Sequence, residues 1–133
     1  MENHEGGCLC GKVRFRLSAP MLDSGYCHCR MCQRNSGSPV IAYATFPVEA
    51  FAWTQGTPGV YASSPGARRQ FCRACGSYMA FQRDDLPHEI SVNVGALDDP
   101  AAFPPRSHIF TESRVPWLHI DDDLPRLQGY GAK

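Results

Sequence analysis

Apolar and polar side chains alternate in two stretches of the chain. In "KVRFRL", Val13, Phe15 and Leu17 alternate with Lys12, Arg14 and Arg16, and in "EISVNV", Ile90, Val92 and Val94 alternate with Glu89, Ser91 and Asn93. Side chains along a strand point to opposite faces in turn, so each stretch predicts a half-buried β-strand. "PVIAYATF", "RRQFC" and "SYMAFQ" are shorter runs carrying β-branched or aromatic residues, and 12 Gly and 11 Pro punctuate the chain between such runs. Helical spacing is confined to small pieces, around Arg30 to Asn35 and Asp98 to Ala102, and "TQGTPGVYASSPGARR" reads as a long surface loop. A mainly β, single-domain protein over residues 1–133 is expected, since no repeat, low-complexity tract or linker divides the chain.

The start "MENHEGG" has neither a basic region nor an apolar one, and no run approaches the ~18 apolar residues of a membrane span. A cytoplasmic protein is expected on this reading. Net charge is zero, but it is unevenly spread: between Ser24 and Arg83 the only acid is Glu49, against Arg30, Arg34, Arg68, Arg69, Arg73 and Arg83. Beyond Asp84 the balance reverses. A neutral chain lacks the electrostatic footprint of a nucleic-acid binder, and metal-bound thiolates would cancel much of the basic segment. The expectation is no nucleic acid and no membrane partner; oligomeric state is not encoded in any pattern of the sequence.

Cysteine usage changes the picture. Seven cysteines fall in three clusters: Cys8 and Cys10 in "GGCLCG", Cys27, Cys29 and Cys32 in "YCHCRMCQR", and Cys72 and Cys75 in "FCRACGS". In a reducing compartment such clusters point to metal ligation rather than disulfides. If Cys8 and Cys10 lie on extended chain, their sulfurs share a face, and a C-x-x-C turn at Cys72 and Cys75, followed by the permissive Gly76, aims two more sulfurs at one ion. Together they make a closed four-sulfur site of structural type. Cys27, Cys29 and Cys32 have C-x-C-x-x-C spacing, which brings three sulfurs to one ion and leaves a position open, as in catalytic zinc sites. The alternative is a fourth ligand from a histidine. His28 should project away from Cys27 and Cys29 in extended chain, which suits an orienting or packing residue, and His4, His88, His108 and His119 are scattered.

"GGCLCGKVRF", "CHCRMCQRNSGSP", "RRQFCRACGS" and "HIFTESRVPWLHIDDDLPRL", in this order and spacing over roughly Gly6 to Leu127, resemble the glutathione-dependent formaldehyde-activating enzyme family. The resemblance implies a β-tent of small antiparallel sheets pinned by a structural zinc held by Cys8, Cys10, Cys72 and Cys75. It implies a second, catalytic zinc on Cys27, Cys29 and Cys32. The implied activity is carbon–sulfur lyase chemistry, the reversible joining of glutathione or a similar thiol to formaldehyde or a related aldehyde, with glutathione as co-substrate.

Zinc coordination favours the thiolate of a thiol whose free pKa is ~8.5. Candidate substrate-binding groups are Arg30 and Arg34 for glutathione carboxylates, with Arg68 or Arg69 as alternatives, and Ser36 and Ser38 or their backbone N–H groups for a developing alkoxide. In the tail, Trp117 is expected to pack over the sheet with Asp121 to Asp123 in solvent. The family's architecture also serves non-catalytic chaperones, and the resemblance extends to the centromere protein V group. A zinc-binding interaction or chaperone module is therefore the alternative function. Methionine sulfoxide reductase chemistry on a similar fold lacks its redox cysteine, because none follows Cys75.

Overall fold

The computed structural model describes residues 3–131. Ten strands and one α-helix follow in chain order: β1 (His4–Gly7), β2 (Arg14–Leu17), β3 (Asp23–Cys27), α1 (Arg30–Ser36), β4 (Ile41–Pro47), β5 (Phe51–Gln55), β6 (Gly59–Ser64), β7 (Ala67–Phe71), β8 (Tyr78–Arg83), β9 (Glu89–Asn93) and β10 (His108–Ile109). The protein is mainly β, as the alternation predicts. A three-stranded sheet has the order β1-β2-β5, and a larger one the order β10-β3-β4-β9-β8-β7-β6. Their pairings are antiparallel except for β10 beside β3, where His108 faces Tyr26 and Ile109 faces Cys27 in parallel register.

The two alternating stretches supply the centre of the core. Phe15 and Leu17 from β2 and Ile90 and Val92 from β9 are fully or almost fully buried, packed with Phe46, Met79 and Cys72. Phe15 stacks on Phe51 at 5.2 Å and meets Trp53 edge-on at 5.8 Å. Close approach at β1 requires glycine: a Cβ on Gly6 would lie 2.5 Å from the Ala96 carbonyl oxygen and 2.6 Å from the Phe15 ring. The small sheet is thereby pressed onto the segment that follows β9.

Three local expectations change. The stretch expected as a long loop contains β6, which pairs with β7 at the edge of the larger sheet. Val60 and Tyr61 there are more than half exposed, so no alternation marks the strand. The piece at Asp98 to Ala102 is a single 3-10 turn, Pro100–Ala102. Trp117 does not pack over the sheet: it is 69% exposed. Among the described residues no helix is long and apolar enough to cross a membrane.

The tail beyond Ser113 is tied to β10. The backbone N–H of His108 donates to the Pro125 carbonyl, Leu127 N–H donates back to His108, and Phe110 N–H donates to Gly129. The acidic run is likewise not all solvent. The Asp122 carboxylate accepts from His108 Nε2 at 3.0 Å and from Arg126 at 2.5 Å.

Candidate metal centre and active site

All seven cysteines are free thiols, and their sulfurs fall into two groups, each with its ligand atoms within 4.8 Å of one another: Cys8, Cys10, Cys72 and Cys75, and Cys27, Cys29 and Cys32. The first group joins the β1–β2 connection to the β7–β8 connection. Cys8 and Cys10 meet through a turn rather than along a strand: Gly11 N–H donates to Cys8 O, and Gly11 has a φ of 79°. Cys72 to Gly76 folds back in the same manner, with Gly76 N–H donating to Cys72 O at 2.8 Å and Gly76 at a φ of 80°. The Cys8–Cys10 and Cys10–Cys72 sulfur separations are 3.6 and 3.8 Å. A tetrahedral ion with metal–sulfur bonds of ~2.3 Å sets its ligands about 3.8 Å apart, so the donor set fits zinc. The Ser77 hydroxyl lies 3.2 Å from the Cys75 sulfur and helps pull that thiol down to about 5, closer to the thiolate a metal needs.

The second group is built by a strand running into a helix. Cys27 ends β3, Cys29 caps α1 with its sulfur accepting the Cys32 N–H at 3.3 Å, and Cys32 lies in the first turn. No His, Asp or Glu donor joins these three among the described residues. Hydrogen bonds from Cys27 and Cys32 hold Cys29 well below the usual thiol range, while the Cys29 sulfur, with Cys32 and burial, pushes Cys27 far above it. The cluster thus takes one negative charge readily and resists the next until a cation shares it.

His28 points away from the sulfurs and is 1% exposed. Its Nε2 is 2.8 Å from His108 Nδ1, and His108 Nε2 reaches Asp122. A carboxylate can only accept, so His108 donates from Nε2; with a neutral His108 ring, Nδ1 then accepts from His28 Nε2–H. Asp122 in the tail therefore fixes the ring lying between two of the clustered cysteines, a link carried by no spacing in the sequence.

Cys27, Cys29 and Cys32 border a cavity of about 90 Å³. Its walls include Tyr43 from β4, Arg69 from β7, Tyr78 and Phe81 from β8, and Phe110 and Tyr130 from the chain after β10. A wider groove adjoins it and shares Cys29, Arg69, Phe81, Arg83, Phe110 and Tyr130. The residues of the four-cysteine group line none of the three main cavities. Phe110 is the one non-glycine residue at positive φ among those described, 54°, a conformation that costs a bulky side chain about 1–3 kcal/mol. It is held there by the tail and meets Tyr130 edge-on at 4.8 Å.

The remaining expected site residues are placed as follows. Arg30 opens α1, bonds Gln33 Oε1 and borders the outer groove. Arg34 is exposed on the last turn of α1 and lines none of the three main cavities. The Ser36 hydroxyl donates to Cys32 O and the Ser38 hydroxyl to Val40 O, so both are spent on backbone next to the helix end rather than turned to the cavity. Arg68 pairs with Asp84 at 2.8 Å. Arg69 is the arginine brought to the cluster. Tyr43, Tyr78, Phe81, Phe110 and Tyr130 were not singled out by the sequence, because only the strand order of the larger sheet and the tail laid beside β10 make them neighbours.

Residues 3–113 match the family described as glutathione-dependent formaldehyde-activating enzyme. An uncharacterized lyase of Schizosaccharomyces pombe is 30% identical over 93 residues, 68% of this chain and 67% of its own length. A Halomonas elongata protein named for glutathione-dependent formaldehyde activation is 28% identical over 131 residues, 88% of this chain and 80% of its own. The crystal structure of a Rhodobacter sphaeroides protein superimposes with a TM-score of 0.60 at 24% identity, covering 92% of this chain and 98% of the other, which supports the fold. With the seven cysteines gathered into two donor sets and the match spanning most of the chain, this protein belongs to the glutathione-dependent formaldehyde-activating enzyme family.

Proposed function

We propose that the chain is a zinc-dependent carbon–sulfur lyase that joins a thiol, glutathione or a relative of it, to formaldehyde or a related aldehyde. The observation that carries this reading is the contrast between the two donor sets: four sulfurs away from the main cavities, and three that border one. In this reading Cys8, Cys10, Cys72 and Cys75 hold a structural ion, and Cys27, Cys29 and Cys32 a catalytic one. Zinc at a three-thiolate site supplies a position for an exchangeable ligand and lowers the pKa of a thiol bound there.

The reaction R–SH + H₂C=O ⇌ R–S–CH₂–OH forms one carbon–sulfur bond, opens the carbonyl π bond and transfers the thiol proton to oxygen. The protein's own residues set the conditions for it. Tyr43, Tyr78, Phe81 and Phe110 exclude water around the reacting groups, which strengthens every electrostatic contact inside. The buried Arg69 guanidinium offsets the anionic charge that gathers at the sulfurs. Burial works against its charge, but Tyr78 and the Cys32 and Cys29 sulfurs raise its pKa overall, so it stays protonated. His28, held through His108 by Asp122, stiffens the loop that carries Cys27 and Cys29.

Exchange NMR of formaldehyde with glutathione tests the reading. Wild-type protein is expected to accelerate adduct turnover, and Cys29→Ser to lose the acceleration while keeping its fold. Exchange with wild-type protein no faster than in buffer would remove this substrate pair.

A further inference from the structure

Arg69 is a permanent charge sealed inside the protein with almost nothing to bond. It is 5% exposed, and its guanidinium carbon lies 4.7 Å from the centre of the Phe81 ring and 5.5 Å from that of Tyr78. Its two polar contacts are long, 3.4 Å to the Tyr78 hydroxyl and 4.0 Å to the Cys32 sulfur, and its buried Nε–H has no acceptor. No ion pair among the described residues includes it. The other cations of the groove are engaged: Arg83 bonds Asp85 through two nitrogens, and Arg30 bonds Gln33. Buried donors are almost always satisfied, so a guanidinium with one open N–H and two long contacts on the wall of a cavity marks a place for an acceptor brought from outside.

The shape of that acceptor follows from the group. A guanidinium flanked by aromatic rings presents its N–H edge in one plane, the geometry that a planar carboxylate matches with two bonds. The size of the cavity agrees. About 90 Å³ is several times the ~10–15 Å³ that one water requires, and formaldehyde, with two heavy atoms and no charge, neither fills the cavity nor satisfies the guanidinium.

We propose that Arg69 binds a carboxylate carried by the substrate, so that the three-cysteine site selects a carboxylate-bearing thiol or a carboxylate-bearing aldehyde over neutral analogues. The proposal rests on the thiol–aldehyde reading of the site and narrows its substrate class. The carboxylate has two possible sources, and the experiment separates them.

Binding to full-length protein of known zinc content is measured by titration calorimetry with two matched pairs: 3-mercaptopropionate against its amide, and glyoxylate against its amide. In at least one pair the carboxylate is expected to bind about tenfold tighter or more, a preference lost in Arg69→Gln and reduced several-fold in Arg69→Lys. The pair that shows it names the source. If Arg69 serves only as counter-charge to the sulfurs, Arg69→Lys retains the full preference, or Arg69→Gln weakens carboxylate and amide alike, and either result overturns the proposal. So does equal binding of carboxylate and amide in both pairs, or no binding of any probe. Should Arg69→Gln fail to fold, Arg69→Lys decides on the same ratio. A carboxylate preference without formaldehyde–glutathione turnover would sink the proposed reaction and leave this inference standing; turnover without the preference would do the reverse.

Discussion

Removing one sulfur from each cysteine group should cost the protein unequal amounts of stability. Cys72→Ser and Cys32→Ser are a matched pair, because Cys72 is 1% and Cys32 7% exposed, so the direct effect of trading sulfur for oxygen in a buried place is similar. The difference lies in the chain each group closes. A cross-link removes about 2.1 + 1.5R ln n cal/mol/K from the unfolded ensemble, with n the residues enclosed. Cys10 and Cys72 are 62 positions apart, which gives about 4.3 kcal/mol at 25 °C. Cys27 and Cys32 are five apart, which gives about 2 kcal/mol. These figures apply where the variant group releases its ion; where the ion also leaves the unfolded chain, the long loop loses it more readily and so gains more, whereas a short motif such as the second can keep it. Over 133 residues about 3–4 °C corresponds to 1 kcal/mol, so Tm should fall by about 15 °C in Cys72→Ser and about 7 °C in Cys32→Ser. Scanning calorimetry of metal-replete samples, with zinc counted in each, makes the comparison. Equal losses, or a larger one in Cys32→Ser, would refute the division into a folding site and a working site.

Gly6→Ala should destabilise by about 1–3 kcal/mol in denaturant unfolding, because its methyl group would meet the Ala96 carbonyl and the Phe15 ring, neither free to retreat. At Phe110 the usual order of small residues should invert: Phe110→Gly is expected to be about 1 kcal/mol more stable than Phe110→Ala by the same assay, since only glycine tolerates a φ of 54° without strain. Burial opposes ionisation of Asp122, but hydrogen bonds from His108, the Leu124 N–H and Arg126 win and lower its pKa. Its contribution to stability is therefore complete above the unfolded carboxylate value of ~3.9 and lost as pH falls through the lower folded value. Acid titration of Tm should show this loss in wild-type protein and not in Asp122→Asn. Trp117→Ala should change stability by less than about 0.5 kcal/mol, as a side chain 69% in water has little packing to lose.

The sequence disclosed most where the determinants are local. The partition of seven cysteines follows from spacings of two and three residues, and the strands around Phe15 and Val92 follow from alternation because each has one face in the core and one outside it. Locality also explains the misses. Cys8 and Cys10 meet through a turn, which the C-x-C spacing permits as readily as a strand. The edge strand β6 is mostly exposed, so nothing imposes a pattern on it, and its glycine and two serines, flanked by Pro58 and Pro65, read as loop. The cavity was the least legible part. Arg69, Tyr78, Phe110 and Tyr130 are scattered over 62 positions, and only the order β3-β4-β9-β8-β7, together with the tail laid beside β10, draws them to the sulfurs. Arg69 looked like any of six arginines in a basic segment until its burial set it apart.

The tail also bears on where this domain can be cut. The family match stops at Ser113, but the chain after it holds β10 in place, supplies the carboxylate behind His108 and hangs Tyr130 across the cavity. A clone trimmed to the matched region would keep every cysteine and yet open one wall of the site to solvent.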